Sequence, residues 1–359
     1  MPVILGEASI LATPLSGVRI WALVSGCITF SLAASKGGTG APSPTPTLTL
    51  TAPDHLVAPP LPQDVVHLHL VSVLHTFCMF VWCFFFVLTL LILAVTFVQF
   101  HSLLPFSWKN LTVTVSSLAS LLTLVASVAF PWLVVASGKA TGDGGGASVV
   151  ATTIFSCLTC VAYAAETHLL RREQGGYMAS VPGLLKVLQV FGGAMALLLV
   201  AEQAQYHHQH HQGESSSPPG PGWQVVGPGW QVVGPGWQVV GPGLAYGLCL
   251  AASLFTVAVM VGDCAGRCPV PFDRVLAALS MLGVLLYMAA AVMSSTKVLQ
   301  MHQVVQHKVK VKVNAALRGG GAEEEMKVAL VSEMVFACVT LLSYTVDLAF
   351  SVKLLCDRN

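Results

Sequence analysis

The sequence predicts an all-α integral membrane protein whose eight transmembrane helices form two tandem four-helix bundles. Three observations carry this reading. Hydrophobic residues make up 55% of the 359 and charged residues only 9%, with a mean hydropathy of +0.75. A soluble domain carries about 25% charged residues. Eight stretches reach the ~20 apolar residues that a helix needs to cross the hydrocarbon core. Finally, one pattern occurs twice. Phe155, Cys157, Thr159, Tyr163 and Glu166 recur, 181 residues on, as Phe336, Cys338, Thr340, Tyr344 and Asp347.

The stretches fall at roughly 15–35, 77–99, 111–136, 148–169, 180–201, 244–262, 274–294 and 328–353. They are read as helices because backbone polar groups in lipid must be satisfied within the segment. The first follows Pro14-Leu15-Ser16-Gly17 and carries Arg19. Only Glu7 precedes it as a charge, and no cleavage site follows, so it reads as a retained span and not a signal peptide. The second is crowded with Phe77, Phe80, Trp82, Phe84, Phe85 and Phe86, a lipid-facing and packing surface. The third follows Pro105-Phe106 and Lys109; the fourth ends at Glu166. The fifth opens at Pro182-Gly183 with Lys186, as the first opens at Pro14 with Arg19, and holds Gly192, Gly193 and Ala194, small residues that let helices approach closely. The sixth ends just before Cys264. The seventh follows Pro271-Phe272, matching Pro105-Phe106, and the eighth ends at Asp347 and Lys353. Three landmarks in the same order in each half mark a chain of two related halves, with four spans in each, so the repeat is parallel and not inverted.

Lys and Arg in the flanks set the orientation. With the N-terminus in the cytosol, the inner side holds Arg19, Lys109, Arg171, Arg172, Lys186, Arg267, Arg274, Lys353 and Arg358, and the first three outer loops hold only Lys36 and Lys139. The fourth outer loop opposes the bias with Lys297, Lys308, Lys310, Lys312, Arg318 and Lys327. Seven of the eight spans are bracketed consistently, so both ends are placed in the cytosol. The divisions are a cytosolic N-terminus at 1–14, a first four-helix domain at 15–170 (outer loop 36–76), a cytosolic linker at 171–179, a second domain at 180–355 (outer loops 202–243 and 295–327), and a cytosolic C-terminus at 356–359.

The outer loops are low in complexity. Residues 36–64 are rich in Pro, Thr, Gly and Ser, the composition of a flexible tether or of a glycosylated stalk. Residues 221–243 hold three identical PGWQVVG units, too short and too few to stack as a solenoid. The run from His307 to Val313 alternates with strand period, as a short amphipathic strand in the loop or as a chance run.

Four intramembrane charges are the main site candidates. Arg19 and Glu166 lie near the inner ends of spans one and four, Lys186 and Asp347 near those of spans five and eight. Each half thus brings one base and one acid to one depth. They form a clasp in each half, Arg19 with Glu166 and Lys186 with Asp347, or they snorkel separately to the headgroups. A proton or ion pathway would need polar groups across the bilayer, and the spans show none at mid-depth.

The ten cysteines lie in spans or just past their ends, which excludes a disulfide-stapled ectodomain. Cys157 and Cys160 form a CxxC inside an apolar helix with no ligand set around it, so packing is their role. Cys264, Cys268 and Cys356, beside span ends, are palmitoylation candidates. His207, His208, His210 and His211 cluster in the third outer loop. Neighbouring imidazoles bind zinc or copper, but this loop does not preorganise a site, and no metal or other cofactor is assigned. The sequon at Asn110 faces the cytosol in this topology and should be unused. Arg172, Tyr177 and Val181 fit a cholesterol-contact pattern. There is no phosphate loop, nucleophile–base pair or helix-borne metal site, so no enzyme is expected, and the net charge of +1 points to no nucleic-acid partner.

Several strings together resemble one family. Gly176 to Leu188 reads GYMASVPGLLKVL, Leu104 to Asn110 reads LPFSWKN, Val81 to Phe84 reads VWCF, and Phe155 to Glu166 reads FSCLTCVAYAAE. The chain is similar, over nearly all eight spans, to the myeloid-associated differentiation marker family, which carries two tandem four-helix MARVEL domains. The resemblance implies a non-enzymatic, multi-pass plasma-membrane organiser. It implies association with cholesterol-rich raft domains and vesicle traffic, and links to cortical actin, cell spreading and migration. Its partners would be membrane lipids, including cholesterol, and cortical cytoskeleton or signalling proteins; a homo-oligomer is allowed. The lengthened outer loops depart from the family's compact ones. Two further function classes stay open: a channel or transporter using Glu166 and Asp347, and an adhesion protein acting through its outer loops.

Overall fold

The computed structural model describes residues 13–37, 62–98, 106–136, 145–173, 176–214, 237–262, 272–311 and 321–357. Eight helices run through them: α1 (Pro14–Gly37), α2 (Pro62–Phe97), α3 (Trp108–Ala136), α4 (Gly145–Glu173), α5 (Val181–Glu214), α6 (Trp237–Val261), α7 (Phe272–Val311) and α8 (Gly321–Asp357), with a short 3-10 turn at Tyr177–Ala179. All eight are long and apolar enough to cross a membrane, over Pro14–Ser35, Val73–Phe97, Trp108–Val134, Gly146–Glu173, Val181–Ala204, Val240–Val261, Arg274–Lys297 and Val328–Leu354. The molecule is a multi-pass membrane protein.

Local chemistry sets the helix starts. Pro14 and Pro62 open α1 and α2, and Pro182 is the second residue of α5; the first turn has no use for the amide hydrogen that proline lacks. Thr13 caps α1, its Oγ1 accepting from the Ser16 amide at 3.3 Å, and the Ser180 hydroxyl accepts from Gly183 N at 3.5 Å before α5. Within the spans, hydroxyls bond back to their own helix, as Thr29 does to the Ser25 carbonyl (2.8 Å) and Thr96 to that of Ile92 (2.7 Å). In lipid there is no water to take these groups.

Helices continue past the hydrocarbon into segments expected as loops. α2 begins at Pro62, and α5 runs to Glu214, through the backbone of His207, His208, His210 and His211. The side chains of those four histidines lie outside the described residues. α7 runs to Val311, so the backbone from His307 to Val311 is helical and the strand reading of that run is corrected. Extending an existing helix costs far less than nucleating new structure. Residues 215–236, which hold most of the PGWQVVG units, lie outside the described residues, as does 38–61.

The chain divides into two compact units, residues 1–179 and 180–359. In the first, α1 packs on α2 and α4, and α3 packs on the same two, a square four-helix bundle; α5 to α8 repeat this arrangement in the second. The segment expected as a linker belongs to the first bundle. Its 3-10 turn packs on α3, with Met178 N donating to Asn110 Oδ1 (3.4 Å) and Arg171 Nε to the Ala179 carbonyl (3.0 Å). Asn110 is itself buried.

In the first bundle alanines on facing helices (Ala22, Ala119, Ala126, Ala162) make room for Trp82, Phe85, Phe130 and Tyr163. Trp82 meets Phe130 edge-on (5.4 Å) and donates from Nε1 to Ser156 Oγ (3.1 Å), satisfying the indole hydrogen. The aromatic crowd of α2 thus divides: Trp82 and Phe85 face the core, Phe80 and Phe84 face outward. The second core is built on Tyr246, Tyr287 and Tyr344 among Ala196, Ala245, Ala290 and Ala337.

Candidate functional site

Each bundle contains a buried ion pair joining its first and fourth helices. Arg19 Nε lies 2.7 Å from Glu166 Oε1 in the first, and Lys186 Nζ lies 2.6 Å from Asp347 Oδ2 in the second. All four side chains are at most 4% exposed, so neither base reaches out to a headgroup. The second pair carries a shell. Gln189 Nε2 donates to Asp347 Oδ2 (3.2 Å), Ser280 Oγ donates to the same oxygen, and Lys186 Nζ also bonds Ser280 Oγ (3.2 Å). Asp347 Oδ1 and Gln189 Oε1 are buried without a hydrogen-bond partner.

One turn before each acid a tyrosine binds the second helix of its bundle. Tyr163 OH lies 2.9 Å from Thr89 Oγ1 and donates to the Phe85 carbonyl (3.2 Å). Tyr344 OH lies 2.6 Å from Ser253 Oγ and donates to the Cys249 carbonyl (3.2 Å). In both, the tyrosine reaches a hydroxyl and the carbonyl four residues before it. This contact sets α2 against α6 at a constant offset, with Phe85 matching Cys249 and Thr89 matching Ser253. The i, i+3 spacing of tyrosine and acid puts both on one helix face.

The repeat differs in one instructive place. Thr159 Oγ1 donates to Ser25 Oγ (2.9 Å) in the first bundle. The matching Thr340 meets Gly192, where a β-carbon would overlap Thr340 Oγ1. A hydrogen bond in one half is replaced in the other by close approach of α8 to the α5 backbone. Gly193 likewise lies against Tyr287 and Leu250.

The second bundle also holds a carboxylate that the repeat does not predict. Glu333 of α8 is fully buried and receives one hydrogen bond from each other helix: Gln203 Nε2 of α5 (2.7 Å), Tyr246 OH of α6 (3.3 Å) and Ser294 Oγ of α7 (2.7 Å). Lys297 Nζ, one turn beyond Ser294, is buried without a hydrogen-bond partner. Between Glu333 and Asp347 the rings of Tyr246, Tyr287 and Tyr344 follow one another at 5.2 and 5.4 Å. The expectation that the spans have no polar groups at mid-depth is corrected in both bundles, by Ser25 with Thr159 and by Ser253 with Tyr344, and the second bundle adds this carboxylate five residues inside its span. The available signal was Glu333 itself, an ionisable residue inside the eighth apolar stretch. Its counterpart in the first half is Thr152, which bonds back to Ser148 O (2.7 Å).

Among the described residues no group of three or more His, Cys, Asp or Glu is placed to hold a metal ion. The eight described cysteines are free. Cys356 is exposed near the end of α8; Cys264 and Cys268 lie outside the described residues. Cys160 donates to the Ser120 carbonyl (3.4 Å), a packing role, and Cys157 is exposed.

Residues 10–169 match the family model described as a membrane-associating domain, MARVEL. Over 294 residues the chain is 30% identical to the rat myeloid-associated differentiation marker, covering 80% of this chain and 73% of that protein. The chain belongs to the myeloid-associated differentiation marker family. The human marker is 30% identical over 299 residues (81% of this chain, 73% of that protein), and human myeloid-associated differentiation marker-like protein 2 is 28% identical over 351 residues (96% and 92%). The likeness to marker-like protein 2 thus runs through both bundles. No solved structure matches the chain. Within the family fold, the ion pairs and tyrosine contacts described above are what join the first, second and fourth helices of each MARVEL-type bundle.

Proposed function

We propose that this protein is a non-enzymatic organiser of the plasma membrane, sorted into cholesterol-rich raft domains and coupled there to membrane traffic, cortical actin, cell spreading and migration. The observation that supports the reading most is the partition of side chains over the spans. Arg19, Glu166, Lys186 and Asp347 turn inward and are paired, while Trp21, Phe80, Val128, Val161, Phe255, Leu285 and Leu342 face outward. What the bundles offer their surroundings at membrane depth is largely an apolar surface, whose length matches or mismatches the local bilayer. Both termini lie in the cytosol in this reading, and acylation of exposed Cys356, with Cys264 and Cys268, adds a second lipid anchor. Lipids, including cholesterol, and cortical proteins are its partners, with a homo-oligomer as one assembly. The test is lateral partitioning in cell-derived giant vesicles with coexisting ordered and disordered phases. Enrichment in the ordered phase that is lost on cholesterol depletion supports the proposal; exclusion from it defeats it.

A second reading, a channel or transporter, draws on Glu333, the three tyrosines Tyr246, Tyr287 and Tyr344, and Asp347, which give the second bundle polar groups at several depths. Ion flux in liposomes that disappears with Glu166→Gln, Asp347→Asn or Glu333→Gln would favour it over the organiser.

A further inference from the structure

The second bundle has a cavity of about 250 Å3 between α6 and α7, and its α6 wall carries smaller side chains than the matching wall of the first bundle. The tyrosine contacts fix the comparison. At the offset that matches Phe85 with Cys249 and Thr89 with Ser253, the α6 wall Leu248, Cys249, Ala252, Ser253 and Thr256 corresponds to Phe84, Phe85, Leu88, Thr89 and Ile92 of α2. All five positions lose volume. In the first bundle Phe85 is buried and packs on Tyr163, ring centroids 6.2 Å apart. In the second, Cys249 stands in its place and the cavity extends to Tyr344.

The cavity reaches from the bundle core to its outer surface. Cys249 and Ser253 at the back are 3% exposed, while Leu248 and Leu282, also in its wall, are 62% and 49% exposed. Its depth is readable from the spans. Lys186, Thr256 and Leu279 each lie five residues from the span end on one side, ~7.5 Å at 1.5 Å per residue. Leu248 and Leu286 lie near the middle of theirs. The cavity therefore runs along the bundle within one leaflet, with Lys186 at its end nearer the interface. A void of this size forfeits packing on every wall, and at this depth the medium that can fill it is lipid.

Lys186 supplies the polar end. Its ammonium has three donors, of which Asp347 and Ser280 take two. The wall is mainly aliphatic (Leu248, Ala252, Leu279, Leu282 and Leu286), the surface against which an unbranched chain packs. We propose that the α6–α7 cavity seats one acyl chain of a glycerophospholipid, with its ester carbonyl accepting the remaining N–H of Lys186. In the first bundle the matching position is held by Phe85, packed on Tyr163. This goes beyond lateral sorting and does not depend on it.

The experiment uses the full chain reconstituted in phosphatidylcholine vesicles that contain a phosphatidylcholine with a mid-chain diazirine. After irradiation, adducts are mapped by mass spectrometry. Adducts should concentrate on the cavity walls of α6 and α7, above equally exposed sites such as Leu90 and Val128. The double variant C249F/A252L introduces the Phe and enlarges the Ala toward their first-half counterparts, fills the seat while leaving Lys186 in place, and should cut the α6–α7 adducts about tenfold, a loss of ~1.4 kcal/mol in affinity. L282W blocks the mouth from the exposed side and should act alike if the core variant fails to fold. Adducts spread evenly over lipid-facing positions, or unchanged in both variants, overturn the proposal. Labelling of the cavity by a photoactivatable sterol that phospholipid does not displace overturns the choice of occupant.

Discussion

Arg19 and Glu166, 147 residues apart in the chain, meet at 2.7 Å with both side chains buried between α1 and α4. Leaving one partner of such a pair unpaired in a buried setting costs about 3–5 kcal/mol. Arg19→Ala or Glu166→Ala should therefore lower the thermal stability of the detergent-solubilised protein sharply. The swap R19E/E166R should recover a substantial part of the loss, because the charges meet again across the same two helices. A swap that is as unstable as the two single changes added together would show that the pair does not join the helices.

Tyr163 and Tyr344 make the same two contacts in their own bundles, so removing either hydroxyl should have the same effect. Tyr163→Phe and Tyr344→Phe are each expected to cost about 0.6–1.7 kcal/mol, the range for interhelical hydrogen bonds in membranes. Thermal unfolding of the two variants side by side checks this. A large loss in one and none in the other would contradict the equivalence of the two bundles.

The repeated half of this polar interior was legible in the sequence. Tyrosine and acid at i, i+3 on one helix face, preceded by a base near the start of the first helix of each half, are visible as spacing alone. Glu333 was visible as an ionisable residue in an apolar stretch, but its partners were not, because Thr152 stands at its counterpart and no spacing rule links it to Gln203, Tyr246 and Ser294. Only the packing of four helices brings those donors to one carboxylate. Helix ends were also beyond reach. Apolar length reports where a segment lies in hydrocarbon, not how far the helix persists in water, and α7 absorbs residues whose own alternation favours a strand.

Gly192 and Gly283 are positions where the second bundle tolerates no side chain. A β-carbon on Gly192 would overlap Thr340 Oγ1, and one on Gly283 would run into the ring of Tyr344. Gly192→Ala should destabilise by about 1–3 kcal/mol, the usual cost of overpacking. Because the obstruction is the Thr340 side chain, adding Thr340→Ala should relieve most of it. The same second change should do nothing for Gly283→Ala, whose obstruction is Tyr344. Melting temperatures of the four variants decide this, and rescue of both glycine variants by Thr340→Ala would refute the geometry.

Glu333 is held by three donors from three helices, so its replacement should loosen all of them together. Glu333→Ala leaves Gln203, Tyr246 and Ser294 without their acceptor, and each buried polar group so orphaned costs about 1–3 kcal/mol. Glu333→Gln keeps one carbonyl oxygen as an acceptor and should lose less. The Lys297 ammonium, buried one turn from Ser294, makes the choice of replacement informative. If Glu333 serves to balance that charge, then adding Lys297→Met should stabilise Glu333→Gln relative to the single variant. If the carboxylate matters only as a hydrogen-bond acceptor, Lys297→Met should have the same effect with Glu333 or Gln at that position. The thermodynamic cycle over the four proteins, read by thermal unfolding in one detergent, separates these outcomes.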